Sequence, residues 1–310
     1  MSKPSWSTLM TPLPADGAMK AALRWLHMLR TEDAHRARAL FTSHTRYADL
    51  TPSQYDDGLT WLRRIGLVPL PGHAAGRYRT ADRLLRLELL ERTLATARPD
   101  WLTEDRNATS GVDTLPPAAQ RLAAVLDLSH DDTAASISSA WLAERTRLGA
   151  AGENALLTLL RRAMTADVIH VSAISDGFGY DIAVESGGSS VHLEVKSTSN
   201  AAGQVLFLSR HEYETMRTDP AWLLVFLTLD RRDQPTAIST VDRHWIAEAV
   251  PADRQGHGSQ WASARLRVPS TARIRGIPAV TKWLLSAAAA GVREPDPSAV
   301  LLASGAAPTG

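Results

Sequence analysis

The sequence contains no cysteine. That single absence excludes disulfides, thiol catalysis, iron–sulfur clusters and cysteine-based zinc sites. It suits a reducing compartment, and a cytoplasmic location is expected. Long apolar runs are also missing. Residues 284–291 (LLSAAAAG) are too short to cross a bilayer, which takes about 20 residues, so no membrane partner is expected. Residues 1–20 lack the apolar stretch of a signal peptide. Net charge is almost absent too: 34 Lys and Arg against 33 Asp and Glu leave +1 over 310 residues. This excludes a basic coat protein and an acidic tail protein. Lysine is scarce. Lys3, Lys20, Lys196 and Lys282 are the four in the chain, and every other strong cation is arginine. No G-x-x-x-x-G-K-S/T, G-x-S-x-G or H-E-x-x-H motif occurs, so P-loop, serine-hydrolase and zincin chemistries have no footing.

What is present is ordinary globular composition, 44% hydrophobic and 22% charged, enough to bury a core. The charge is unevenly spread. Residues 1–100 carry 15 cations and 10 acids, and residues 251–310 carry 7 and 3. Residues 101–148 carry 4 and 7, and residues 149–250 carry 8 and 13. Basic ends around an acidic middle suit a carboxylate centre with nucleic acid held on either side, although charge also fluctuates between segments of this size.

Residues 1–16 hold three prolines and read as a flexible arm. Helical spacing follows at Leu23, Leu26 and Leu29, then at about 32–42. Thr51-Pro52 reads as an N-cap with proline at the first helical position, opening a helix that ends at Gly66. LVPLPGHAAGRYRT then reads as strand, turn and strand, and residues 81–97 as helix. This is the element order of a winged-helix module, spanning 17–100. Such a module would bring Ser53, Gln54, Arg63, Arg64, Arg77 and Arg79 to DNA. The same order serves protein-interaction domains. Residues 101–114 read as a linker, 115–285 as a second domain, and 286–310, rich in Ala, Pro, Ser and Gly, as a disordered tail.

The second domain has an informative centre at 149–230. Gly152-Glu153 opens an apolar helix. Strands follow at 168–173, 180–184 and 190–197, and a short one at 204–208. Ser209 starts a helix, and WLLVFLTL at 222–229 is a fully buried strand. The order is α-β-β-β-α-β, an α/β fold with a mixed sheet. Alternation in SVHLEVKS puts Val191, Leu193 and Val195 inward, and His192, Glu194 and Lys196 on the opposite face. Asp181 lies on the neighbouring strand. Two carboxylates and a lysine at short range can hold Mg²⁺ through hard oxygens and stabilise charge on a phosphate. The bland reading of Glu194 and Lys196 is a solvated strand face with opposite charges. Glu153 has its own bland reading as a first-turn carboxylate. Ser209 with Glu212 reads as a capping box.

Asp181 followed by Glu194-Val195-Lys196 resembles the signature of the PD-(D/E)XK nucleases. Tyr180 stands where that signature has proline. The finer pattern is Gly152-Glu153, Gly179-Tyr180-Asp181-Ile182, Glu194-Val195-Lys196-Ser197-Thr198 and Phe207-Leu208-Ser209 with Glu212. It is similar to the NO VEIN C-terminal domain, a nuclease-like module of restriction and defence proteins. The likeness covers about 135–250. It implies a restriction-endonuclease-like core and an Mg²⁺-dependent DNA endonuclease, with Mn²⁺ able to substitute. It implies Asp181, Glu194 and the Val195 carbonyl as metal ligands, with Glu153 assisting. It makes Lys196 the catalytic lysine. DNA is the implied substrate, and a second copy of the chain or other subunits of a defence system are the further partners. The alternatives are a DNA-binding regulator or an interaction subunit built on an inactive nuclease-like core.

Overall fold

The computed structural model describes residues 12–68, 82–103, 115–199, 205–252 and 261–285, together with Leu302. Residues 69–80 of the expected wing with Arg77 and Arg79, most of the arm, residues 104–114 of the linker and the tail apart from Leu302 lie outside them. The fold is mixed α/β, as expected: a helical region, then a six-stranded mixed sheet with helices. The chain divides into two compact units at Glu144/Arg145.

The first unit is helical. Its elements are α1 (Asp16–Met28), α2 (Ala34–Ser43), α3 (Pro52–Arg64), α4 (Asp82–Ala97), α5 (Asp100–Thr103), α6 (Pro117–Leu126) and the first part of α7 (His130–Ala163). Thr51 caps α3, and Gln54 completes a reciprocal capping box. Trp25, Leu26, Tyr55, Leu62, Leu89 and Leu122 are buried together. Each such side chain contributes roughly 2–3 kcal/mol by leaving water. The α1 and α3 backbones approach closely at Gly58, where a Cβ would lie 2.7 Å from the Ala22 nitrogen and 2.8 Å from the Ala18 oxygen. Two expectations change here. Residues 101–103 belong to a helical turn that buries Leu102 rather than to a linker. Residues 115–144 pack into this helical core through Leu115, Ala119, Leu126 and Ile137 rather than joining the sheet.

The second unit is built on a sheet of order β1-β2-β3-β5-β6-β8, with β4-β7 as a separate pair. The strands are β1 (Asp167–His170), β2 (Ile182–Ser186), β3 (Ser189–Thr198), β4 (Val205–Ser209), β5 (Trp222–Leu229), β6 (Pro235–Val241), β7 (Ser263–Arg267) and β8 (Arg273–Arg275). Helices α8 (Arg210–Thr218) and α9 (Arg243–Ala249) precede β5 and follow β6. Pairing is antiparallel except for β3 with β5. Gly187 and Gly188, both at positive φ (57° and 77°), make the two-residue turn that joins β2 to β3. Both faces of β5 are largely covered, with only Leu223 and Thr228 partly exposed. Val225, Leu227 and Leu229 join Leu156, Leu159 and Leu160 of α7 in one apolar layer. Trp222, Leu224 and Phe226 join Met216, Ile246, Leu206 and Leu208 in the other. That explains an apolar run without alternation. Leu302, placed by sequence in a disordered tail, is fully buried in the α7 layer, where its carbonyl accepts from the Ile277 amide at 3.0 Å. Among the described residues no helix is long and apolar enough to cross a membrane.

The helix expected to open at Gly152 instead runs unbroken through Gly149 and Gly152. Gly152 is there for closeness, because a Cβ would meet the Ser197 side chain of β3 at 2.5 and 2.6 Å. The Ser197 hydroxyl is itself committed, donating to the Leu148 carbonyl at 2.7 Å. Inside an ordinary helix Gly→Ala gains about 1 kcal/mol. Here the sign reverses. Gly152→Ala is expected to destabilise the α/β unit by about 1–3 kcal/mol through overpacking, measured by urea unfolding. Equal or greater stability would show that the strand gives way freely.

Candidate active site

Asp181 sits immediately before β2, at the mouth of the β1–β2 connection. Its amide donates to the Leu193 carbonyl at 2.9 Å, and its own carbonyl accepts from the amides of Val171 and Ser172 at 2.7 and 3.1 Å. The lead-in is pinned as well. Gly179 adopts a left-handed φ of 71°, and a Cβ there would strike the Thr215 side chain of α8 at 2.2 Å. Its carbonyl accepts from the Trp222 indole at 2.9 Å. With both flanks fixed, Asp181 Oδ2 accepts the Val195 amide of β3 at 2.7 Å.

Strand β3 supplies the next two groups. Leu193 and Val195 join the α7 layer. Glu194 and Lys196 take the other face, in register with Leu224 and Phe226 of β5. The alternation is as the sequence predicts, but a solvated face is not what results: Glu194 is only 4% exposed. The Lys196 ammonium donates to Glu194 Oε1 at 2.7 Å and pairs with Glu212 Oε2 at 3.0 Å. Glu153, on α7, accepts from the Ser172 hydroxyl at 2.8 Å and faces His170 Nε2 at 3.3 Å through the same oxygen.

Charge is unbalanced here. Burial pushes the Asp181 carboxyl up to about 6, with the Glu153 charge adding to the shift and the Val195 amide and Lys196 opposing it. Burial drives Glu194 well above the ordinary glutamate range, against the pull of Lys196. Burial alone would lower Lys196, but Glu194 and Glu212 outweigh it and hold the ammonium charged. Asp181, Glu194 and Glu212 act on one another around one lysine, and Glu153 acts on Asp181. Among the described residues, no three His, Asp or Glu side chains converge as ligands of a cation.

The structure therefore brings Asp181, Glu194, Val195 and Lys196 together, with Glu153 coupled to Asp181 through its charge. It adds Glu212. The capping box is there, the Ser209 amide donating to Glu212 Oε2 at 2.9 Å and the Glu212 amide to Ser209 Oγ at 3.2 Å. The sequence motif S-x-x-E accounts for that much and conceals the second contact. His192 shares the face but is engaged elsewhere, stacked on Tyr180 at 4.3 Å with Nδ1 2.5 Å from Asp219 Oδ2. The described DNA candidates in the first unit all lie on α3. Ser53 and Gln54 lie in the first turn of α3, Arg63 and Arg64 in the last, about 15 Å away along the axis. Gln54 is spent on the cap. Arg63 Nε is buried without a hydrogen-bond partner. Ser53 and Arg64 remain exposed.

A pH dependence of stability follows from Asp181. Its folded-state pKa is raised, so the neutral acid is the form the fold favours. The stability this confers is complete below about pH 4 and is lost as pH rises through about 6. Asp181→Asn keeps an acceptor for the Val195 amide and removes the charge. In EDTA at pH 8 it is expected to exceed the parent chain in stability by up to about 3 kcal/mol. The gap should close towards pH 4. Paired denaturation curves across that range check it, and a variant weaker than the parent at pH 8 refutes it.

Residues 152–238 match the family model described as "Protein NO VEIN, C-terminal". No curated protein matches the chain, and no solved structure matches it. Glu153, Asp181, Glu194, Lys196 and Glu212 all fall inside the matched segment.

Proposed function

We propose that this chain is an Mg²⁺-dependent DNA endonuclease of bacterial restriction or phage defence, working in the cytoplasm, with Mn²⁺ able to substitute. The observation that carries this reading is a buried Glu194 and a largely buried Asp181 beside a charged Lys196, in the order of the PD-(D/E)XK signature. The donors suit a hard divalent cation. They are carboxylate oxygens, as Mg²⁺ prefers, and burial, which raises both of them, would favour a cation that stabilises their charged forms. Asp181, Glu194 and the Val195 carbonyl would hold the ion, with Glu153 assisting. A bound Mg²⁺ lowers the pKa of a water and offsets charge on phosphate. Lys196 contributes as a fixed cation. Because its neighbours keep it protonated, it is placed to stabilise negative charge developing on phosphorus oxygens rather than to take the water's proton. Hydrolysis adds the water oxygen to phosphorus and releases the bridging oxygen with a proton. DNA contacts are assigned to the basic segments 1–100 and 251–310, and a second copy or partner subunits would allow both strands to be cut.

One observation favours a second reading, a regulator or interaction subunit with an inactive core. Glu194 is already paired with Lys196, and the carboxylates do not converge. Supercoiled plasmid, modified and unmodified, incubated with Mg²⁺, Mn²⁺ or EDTA separates the two. Metal-dependent nicking or linearisation is expected, with Asp181→Asn, Glu194→Gln and Lys196→Ala each slowing it by roughly 10²–10⁴-fold while still folding. Cutting retained in all three variants, or in EDTA, overturns the nuclease assignment. An intact plasmid under every condition supports the second reading.

A further inference from the structure

Glu212 is an unusual capping residue. The glutamate of a capping box completes its local task by accepting one amide at the helix start. Glu212 does so, and the same oxygen, Oε2, then accepts from the Lys196 ammonium at 3.0 Å. Lys196 is thereby gripped from two sides. Glu194 holds it from two positions back on its own strand at 2.7 Å, and Glu212 holds it from the first turn of α8. The two grips differ. Glu194 is the group assigned to a metal ion, so its charge would be shared. Glu212 is anchored by the Ser209 amide and lies at the positive end of the α8 dipole, where a carboxylate is favoured.

We propose that Glu212 is a positioning residue, fixing the Lys196 ammonium when Glu194 turns its charge to a metal ion. The Ser209 amide that holds Glu212 Oε2, which survives loss of the Ser209 hydroxyl, is then what sets where the lysine points. This rests on the nuclease reading for its kinetic arm alone, since the locking of the ammonium can be seen without turnover.

The scarcity of lysine makes that visible. With four lysines in the chain, ¹H–¹⁵N spectra of lysine ammonium groups are sparse, and Lys196→Arg identifies the relevant signal. A slowly exchanging Lys196 ammonium is expected in the parent chain and in Ser209→Ala, which loses the hydroxyl side of the cap. It is expected to vanish in Glu212→Gln, where glutamine can still cap but carries no charge. In plasmid cleavage, Glu212→Gln is expected to lower kcat by roughly 10- to 100-fold, with KM and the Mg²⁺ requirement within about twofold. Ser209→Ala should do the reverse, lowering the melting temperature and leaving kcat nearly unchanged. A Lys196 signal and kcat both intact in Glu212→Gln would reduce Glu212 to a cap and overturn the proposal. So would recovery of kcat at raised Mg²⁺, which would make Glu212 a ligand. If the parent chain cuts no substrate, the nuclease reading fails by itself and the ammonium spectra still decide the role of Glu212.

Discussion

The paired contacts of Lys196 with Glu194 and Glu212, at 2.7 and 3.0 Å, are what the layout of the α/β unit serves. A buried ammonium and a buried carboxylate each cost several kcal/mol to desolvate, and their attraction repays this only when geometry is held closely. The surroundings supply that hold. Gly152 lets α7 lie against Ser197, and Gly179 lets the strand lead-in lie against Thr215. Trp222 clamps the Gly179 carbonyl from β5. Apolar layers on both faces of β5 remove the water that would otherwise screen the charges. Burial of Asp181 and Glu194 costs stability when they are charged, as their raised pKa values show.

Much of this was legible in the sequence. The apolar run 222–229 and the alternation at 190–197 needed no tertiary knowledge, because a buried central strand and a two-sided strand differ in period. Asp181, Glu194 and Lys196 stand out by type and spacing, and the structure sets them close together. The strands after residue 230 were harder. β7 (SARLR) and β8 (RIR) place arginine at alternate positions, and three to five residues of such a pattern do not distinguish an edge strand from a loop. Glu212 was hidden by its own motif, since a local explanation was sufficient and its second partner lies on another element. Leu302 owes its burial wholly to distant contacts, and a local composition of small residues says nothing about them.

The boundary between units escaped for a different reason. Helix α7 is 34 residues long, and its glycines suggest a break near 149–152. No break occurs. Gly149 has open space where a Cβ would sit, whereas Gly152 answers to a strand, and sequence does not tell those two cases apart. In the first unit, the residues that a winged-helix reading would bring to DNA lie at the two ends of α3, and Gln54 caps the helix.

The parallel pairing of β3 with β5 has a kinetic side. Parallel neighbours cannot be closed by a hairpin, so the chain must first lay down β4 and α8 as a crossover. Glu212 rides on that crossover, whereas Glu194 and Lys196 wait on β3. The lysine thus meets its second carboxylate, which lies on α8, only when this crossover has formed. Until then the acids are spread along solvated chain at their ordinary acidities. The cluster is therefore complete only once β3, the crossover and β5 have docked.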